Sequence, residues 1–228
     1  MFTAIKDRAA DGFFRLLGEI YLLFMQTLAS NIQLEVKDKE KLPRSGYILC
    51  PNHNGHLDGI FLYRVLGRGF PRDKRCSGLA RTRPDVSPLV KRIWLSGRVL
   101  LLFEGKSNIK AIREAVRSLR EDKSLVFFPD RRKGGVYRGA AFLACQSNLP
   151  IVPLRIAGGG FVDRQIPPYA FPFAALREYR KRGGKVTLTF MDPIAPDPVR
   201  YRTERKRYLD ALTRELGEKL GLGEVNDR

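Results

Sequence analysis

Both histidines of this 228-residue chain, His53 and His56, lie in one short polar segment together with Asp58. The segment stands between an apolar run at 47–51, which predicts a strand, and residues 57–66, which predict a helix. In an open α/β sheet, functional sites form in the loops that follow the carboxyl ends of strands. We therefore expect the chemistry of this protein at this loop.

The spacing of His53 and Asp58 indicates how the two side chains meet. Five steps of about 100° around an ideal helix separate two residues widely, so the pair requires His53 on the loop and Asp58 in the first helical turn. Asp58 then accepts a hydrogen bond from one imidazole nitrogen, which fixes the tautomer and makes the other nitrogen more basic. An acidic side chain in the first turn is also favoured by the helix dipole.

A histidine–aspartate pair of this kind is a general base without its own nucleophile, since the chain has no G-x-S-x-G segment. Its use is to deprotonate a hydroxyl or amine of a bound acceptor, which then attacks an activated acyl group. The alternative is a helix-capping Asp58 beside a structural His53. We favour catalysis because both histidines of the chain are concentrated in this loop.

Apolar strand patterns alternate with helical patterns along the rest of the chain. Strands are predicted at 47–51, 99–103, 124–128, 151–156 and 185–190. Helices are predicted at 57–66, 139–147 and 203–220, with a further helix between the second and third strands. This alternation predicts an α/β domain over residues 36–228, with a largely parallel central sheet and flanking helices.

Residues 1–35 are assigned to a separate N-terminal element of amphipathic helices. Apolar and aromatic side chains dominate residues 8–30, with charged residues interleaved. Such a helix either packs on the domain or lies in a membrane interface with its apolar face down. The longest uncharged stretch, between Glu19 and Glu35, contains several polar residues and falls short of the ~20 apolar residues that span a bilayer.

The charge of the chain is strongly positive, with 42 Lys and Arg against 24 Asp and Glu, giving +18. This balance predicts an anionic partner, which is nucleic acid, an anionic membrane surface or an acidic substrate. The three cysteines, Cys50, Cys76 and Cys145, are odd in number and lack metal-ligand spacing. We expect them to be buried thiols in a protein of the reducing cytoplasm.

The segment from Asn52 to Asp58 (NHNGHLD) resembles the N-H-x4-D motif of the PlsC-type glycerolipid acyltransferases, which acylate glycerol phosphate and lysophosphatidic acid. Further blocks follow in the family's order. Residues 127–130 (FFPD) are similar to its F-P-E-G block, 148–154 (NLPIVPL) to its G-x-P-V-x-P block and 186–194 to its closing strand. The resemblance implies an acyl-CoA or acyl-carrier-protein donor, no metal or other cofactor, and N-terminal helices that dock on a membrane.

Two blocks depart from the family pattern. The usual Glu-Gly-Thr-Arg of the third block is Asp130-Arg131-Arg132-Lys133 here, and the arginine of the second block is absent unless Arg98 or Lys106 substitutes for it. In the family these blocks are associated with the phosphate of the acceptor, so their alteration leaves the acceptor open. The candidate substrate-binding residues are Asn52, Arg81, Arg98, Lys106, Asp130, Arg131, Arg132 and Lys133.

The expected protein is a lysophospholipid or glycerolipid O-acyltransferase at the cytoplasmic face of a membrane, with His53 as base and Asp58 as its orienting partner. Its partners are a lipid acceptor, an acyl thioester donor and an anionic membrane surface. Two alternatives stay open. A nucleic-acid-binding module would account for the charge, although the cations are spread along the chain and no recognition motif is visible. A catalytically inactive lipid-binding relative would account for the altered blocks.

Overall fold

The computed structural model describes residues 32–44, 46–54, 57–66, 76–82, 99–103, 108–121, 123–129, 135–158 and 184–222. It also describes single helical positions between residues 13 and 30 and between residues 174 and 181. For residues 76–82 and 99–103 the backbone alone is described. Among the described residues, no helix is both long enough and apolar enough to cross a bilayer.

The described residues form one sheet with helices on both faces. The strands are β1 (Gln33–Lys37), β2 (Ile48–Pro51), β3 (Cys76–Thr82), β4 (Val99–Phe103), β5 (Ser124–Phe127), β6 (Ile151–Ala157) and β7 (Lys185–Phe190). The helices are α1 (Asp58–Leu66), α2 (Ile109–Arg120), α3 (Gly139–Ser147), α4 (Pro198–Thr203) and α5 (Arg205–Leu220), and a short 3-10 turn spans Lys39–Lys41.

The sheet has the strand order β1-β7-β6-β2-β5-β3-β4. Five of its six neighbouring pairs are parallel, and only β6 and β7 pair in antiparallel fashion. The strands β2 to β6 therefore all point the same way, and their carboxyl ends share one edge of the sheet. The predicted α/β class with a largely parallel central sheet is confirmed.

Both faces of the central strands are buried, which explains why these strands are apolar almost throughout. Neighbouring side chains of β2 enter opposite cores: Leu49 joins the cluster under α1, whereas Ile48 and Cys50 join the cluster under α2, α3 and α5. This alternation is the two-residue period of an extended strand. Packing against both cores fixes the direction of β2 and therefore the place where the loop after Pro51 begins.

The predicted strands and helices are present with small shifts at their ends. Two further strands were not predicted, and one predicted helix begins later than expected. Strands β1 (QLEVK) and β3 (CSGLART) lack the apolar runs on which the prediction depended. The predicted helix at 203–220 begins at Arg205, because α4 forms a separate helix capped by the Asp197 carboxylate. The boundary drawn at residue 35 falls inside β1, because Gln33–Lys37 pairs with β7 and so belongs to the sheet.

Candidate active site

The imidazole of His53 is hydrogen-bonded to the carboxylate of Asp58. The distance from His53 Nδ1 to Asp58 Oδ2 is 2.7 Å. Because an ionised carboxylate only accepts hydrogen bonds, Nδ1 carries the proton in this pair and Nε2 is the basic nitrogen. The predicted meeting of the two residues, one on the loop and one on the first helical turn, is present in the structure.

The local sequence places both residues at the carboxyl edge of the sheet. Strand β2 ends at Pro51, and α1 begins at Asp58 after Leu57, whose carbonyl accepts the amides of Ile60 at 2.9 Å and Phe61 at 3.1 Å. Leu57 is buried, so the start of the helix is anchored in the core under α1. Asp58 thus lies at the positive end of the helix dipole, where a carboxylate is stabilised.

The two members of the pair differ in how far their side chains are exposed. The side chain of Asp58 is 1 % exposed, whereas that of His53 is 47 % exposed. Asp58 Oδ2 also accepts the backbone amide of Asn54 at 2.8 Å. A buried carboxylate is tolerated only where hydrogen bonds replace water, and both of these donors reach the same oxygen, Oδ2. The carboxylate is therefore buried while the imidazole faces outward.

The ring of Phe128 lies beside His53. The two ring centroids are 5.3 Å apart and the planes meet at 55°. Phe128 follows β5, the strand adjacent to β2, and its ring also packs against the core under α1. The prediction of site residues omitted Phe128, although its place after a strand at the same sheet edge was a usable signal.

Asn52, predicted to bind substrate, has its side chain engaged with the sheet. Its Oδ1 accepts the amide of Ile156 at 2.6 Å, and its Nδ2 donates to the carbonyl of Ile156 at 3.0 Å. Ile156 belongs to β6, on the other side of β2 from β5. Asn52 therefore ties the start of the His53 loop to the neighbouring strand.

The other predicted substrate-binding residues are placed only in part. Arg81 is near the carboxyl end of β3, where its backbone pairs with Leu102, so it belongs to the same edge of the sheet as His53. The remaining candidates, together with His56, lie outside the described residues: Arg98, Lys106, Asp130, Arg131, Arg132 and Lys133.

The ends of the loop that carries four of these candidates are described. The amide of Tyr137 donates to the carbonyl of Pro129 at 2.8 Å, which closes the segment between them. Gly135 has φ of +83°, a left-handed conformation that favours glycine. The described residues on either side of 130–134, Pro129 and Tyr137, are therefore in contact just beyond the end of β5.

The structure describes the side chains of two cysteines. Cys50 is buried in β2 and Cys145 is half-buried in α3. Burial raises the pKa of the Cys145 thiol to about 11, so at neutral pH it is protonated and a poor nucleophile. Within the parts of the chain that the structure describes, no group of three or more His, Cys, Asp or Glu side chains is arranged to hold a metal ion.

Comparison with known proteins agrees with this architecture. The crystal structure of the 1-acyl-sn-glycerophosphate (LPA) acyltransferase PlsC from Thermotoga maritima is similar to this chain, with a TM-score of 0.53 and 17 % sequence identity. The match covers 90 % of this chain and 81 % of that chain, so the fold is that of a PlsC-type protein. A family model described as Acyltransferase matches residues 33–157, from the start of β1 to the end of β6. This chain belongs to the acyltransferase family, as the resemblance of its motifs predicted.

Proposed function

We propose that this acyltransferase moves a fatty acyl chain from acyl-CoA or acyl-carrier protein to a hydroxyl, or an amine, of a lysophospholipid or related lipid. The observation that carries the proposal is the hydrogen bond of 2.7 Å between the exposed His53 and the buried Asp58. It supplies an oriented base at the sheet edge where α/β proteins bind ligands. No other described histidine competes for this role.

The proposed reaction begins when Nε2 of His53 removes the proton of the acceptor hydroxyl. The oxygen attacks the thioester carbonyl carbon, and a tetrahedral intermediate forms. Asp58 stabilises the positive imidazolium that exists at this stage. The intermediate then collapses, the carbon–sulfur bond breaks, and the imidazolium returns its proton to the departing thiolate. The products are the acylated lipid and the free thiol of the donor.

The proposed anion site for the acceptor headgroup is the basic sequence that follows Phe128 and Pro129. Arg131, Arg132 and Lys133 fall in the sequence between Pro129 and Tyr137, which are hydrogen-bonded to each other just beyond β5. Guanidinium groups bind phosphates and carboxylates through paired hydrogen bonds. Arg81, near the carboxyl end of β3, and Lys106, which follows β4 in the sequence, are proposed as further contacts at the same edge. Arg98 is not proposed there, because it directly precedes Val99, at the amino end of β4 and therefore at the opposite edge of these parallel strands.

The proposed location of the protein is the cytoplasmic face of an anionic membrane. At the N-terminus Phe13, Leu16, Ile20 and Leu23 follow the three- and four-residue spacing of one helix face, and each is more than half exposed. An exposed apolar face on a helix is the pattern of interfacial docking. The net charge of +18 adds attraction to anionic lipid, at ~1 kcal/mol for each well-placed Lys or Arg.

The test is thiol release from a long-chain acyl-CoA in the presence of a panel of lysolipid acceptors. We expect an acceptor-dependent rate that His53→Ala lowers by about 10²–10⁴-fold, the usual contribution of a general base. The control is Asp192→Asn, at an exposed position beyond β7, which should release thiol at the parental rate. If His53→Ala matches the parent, His53 is not the base. If the parent binds lipid vesicles without turning over any acceptor, the inactive lipid-binding alternative replaces this proposal.

A further inference from the structure

Asn52 stands between strand β2 and His53, and the hydrogen bonds around it depart from a regular parallel ladder. Pro51 is opposite Leu154 in the pairing of β2 with β6, and the amide of Asn52 still donates to the carbonyl of Leu154 at 3.1 Å. A further step of the ladder would join the amide of Ile156 to the carbonyl of Asn52. It would also join the amide of Asn54 to the carbonyl of Ile156.

The side chain of Asn52 replaces both of these backbone partners. Its Oδ1 takes the amide of Ile156 at 2.6 Å and its Nδ2 reaches the carbonyl of Ile156 at 3.0 Å. Ile156 is 1 % exposed, and buried backbone groups without hydrogen-bond partners destabilise the folded state. The backbone amide of Asn54, which a regular ladder would use here, instead donates to Asp58 Oδ2 at 2.8 Å.

We propose that Asn52 is a positioning residue for the catalytic base. Its side-chain amide makes the last hydrogen bonds between β2 and β6 in place of the main chain. The backbone amide of Asn54 is therefore available to donate to Asp58. The same oxygen of Asp58 orients the imidazole of His53 at 2.7 Å. The inference rests on the proposed function and deepens it, because it assigns Asn52 to the orientation of His53 rather than to contact with substrate.

The chemistry of the contact explains why an amide is required. One planar group must donate to a carbonyl and accept from an amide of the same residue, and among side chains of this length only asparagine does both. Asn52→Asp keeps the size and the acceptor but removes the donor, and it sets a carboxylate against the carbonyl of Ile156. In that variant the carbonyl regains a partner only by recruiting the amide of Asn54, which withdraws this amide from Asp58.

The kinetic test compares Asn52→Asp in the full chain with Asn148→Asp, the same change at an exposed position in the turn after α3. We expect Asn52→Asp to lower kcat about tenfold to a hundredfold, because small misplacements of a catalytic group cost up to about 10²-fold. The KM values for acyl-CoA and for the lysolipid should stay within about twofold of the parent. A raised KM for the acceptor with unchanged kcat would assign Asn52 to substrate binding and overturn the proposal.

A second measurement needs no substrate. The chain has only two histidines, so the ring proton on Nδ1 of His53 can be followed by NMR as a downfield, hydrogen-bonded resonance. We expect this resonance in the parent and in Asn148→Asp, and its loss in Asn52→Asp and Asn52→Ser, with melting temperatures showing that the proteins remain folded. Its persistence in folded Asn52 variants overturns the proposal. If the parent transfers no acyl group, the proposed function fails while this readout still decides the role of Asn52.

Discussion

The ring of Phe128 and the imidazole of His53 lie 5.3 Å apart at an interplanar angle of 55°. This distance and tilt fall in the range that aromatic pairs prefer, worth about 0.5–1.5 kcal/mol beyond the area that they bury. The contact joins the ends of two adjacent strands, β2 and β5. Phe128 thereby restricts the rotation of the imidazole about its hydrogen bond to Asp58.

Replacement of Phe128 by leucine should lower kcat about tenfold, because the imidazole then samples orientations away from the acceptor. Most of the apolar volume is kept, so the free energy of unfolding should fall by less than about 1.5 kcal/mol relative to the parent. Phe142→Leu, the same change on α3 away from His53, is the control and should retain the parental kcat. Equal kcat values for Phe128→Leu and the parent in the thiol-release assay would show that the ring contact has no part in turnover.

Asp58→Asn should impair turnover less than Asp58→Ala. One oxygen of Asp58 accepts both the imidazole of His53 and the amide of Asn54, so an asparagine can keep its carbonyl oxygen at that place and preserve the tautomer. It loses the negative charge that stabilises the imidazolium, and an NH2 group replaces the second carboxylate oxygen. We expect kcat to fall about tenfold to a hundredfold in Asp58→Asn and to approach the value of His53→Ala in Asp58→Ala. Single-turnover rates with saturating acyl-CoA compare the two variants. A slower rate for Asp58→Asn than for Asp58→Ala would contradict the arrangement in which one oxygen of Asp58 accepts both hydrogen bonds.

The stability of the β1 edge should depend on pH through Glu35. Its carboxylate pairs with Lys185 at 3.1 Å and accepts the hydroxyl of Thr187 at 3.0 Å, and these contacts lower the pKa of Glu35. A lowered folded pKa means that the stabilisation is present above the ordinary glutamate pKa and is lost as the pH falls through the folded value. Glu35→Gln should therefore melt at a lower temperature than the parent at pH 7, and this difference in melting temperature should narrow as the pH falls.

Thermal melts at a series of pH values measure this gap. Glu215→Gln, an exposed change on α5, should leave the melting temperature near that of the parent at each pH. A Glu35→Gln gap that stays constant from pH 7 into the acid range would show that the ionised carboxylate of Glu35 contributes nothing to the β1–β7 pairing.

The sequence predicted the strands that consist of apolar runs. It missed β1 and β3, which have no such run. Strand β2 is apolar at every position because both of its faces are buried, and such runs are visible without any knowledge of neighbours. Strand β1 carries Glu35 and Lys37 because its edge position leaves them in contact with solvent. Its place in the sheet depends on pairing with β7, some 150 residues later, which local patterns do not encode.

The site shows the same division between local and distant information. The pairing of His53 with Asp58 followed from a spacing of five residues and a strand–loop–helix pattern. The partners of Asn52 and the contact of Phe128 could not be derived in this way, because they depend on which strands flank β2. Ile156 reaches Asn52 across 104 positions of sequence, and only the strand order brings β6 and β5 to either side of the loop.

The exposed apolar face of the N-terminal helix should bind membranes. Leu16 and Leu23 are both more than half exposed, and full burial of a leucine side chain in an apolar phase is worth about 1.5–3 kcal/mol. The double change Leu16→Ser with Leu23→Ser should therefore weaken vesicle binding at least about tenfold. Co-sedimentation with vesicles containing anionic phospholipid measures the loss, with the double variant and the parent compared at the same ionic strength.

The matched control is Val199→Ser, at an exposed apolar position on α4 outside the N-terminal helix. It should bind vesicles as the parent does. The double variant should also keep its turnover of a short-chain, water-soluble acceptor, because His53 and Asp58 are unchanged, while its turnover of vesicle-borne lysolipid falls. Parental vesicle binding by the double variant would assign the apolar face to packing on the domain, the alternative that the sequence left open.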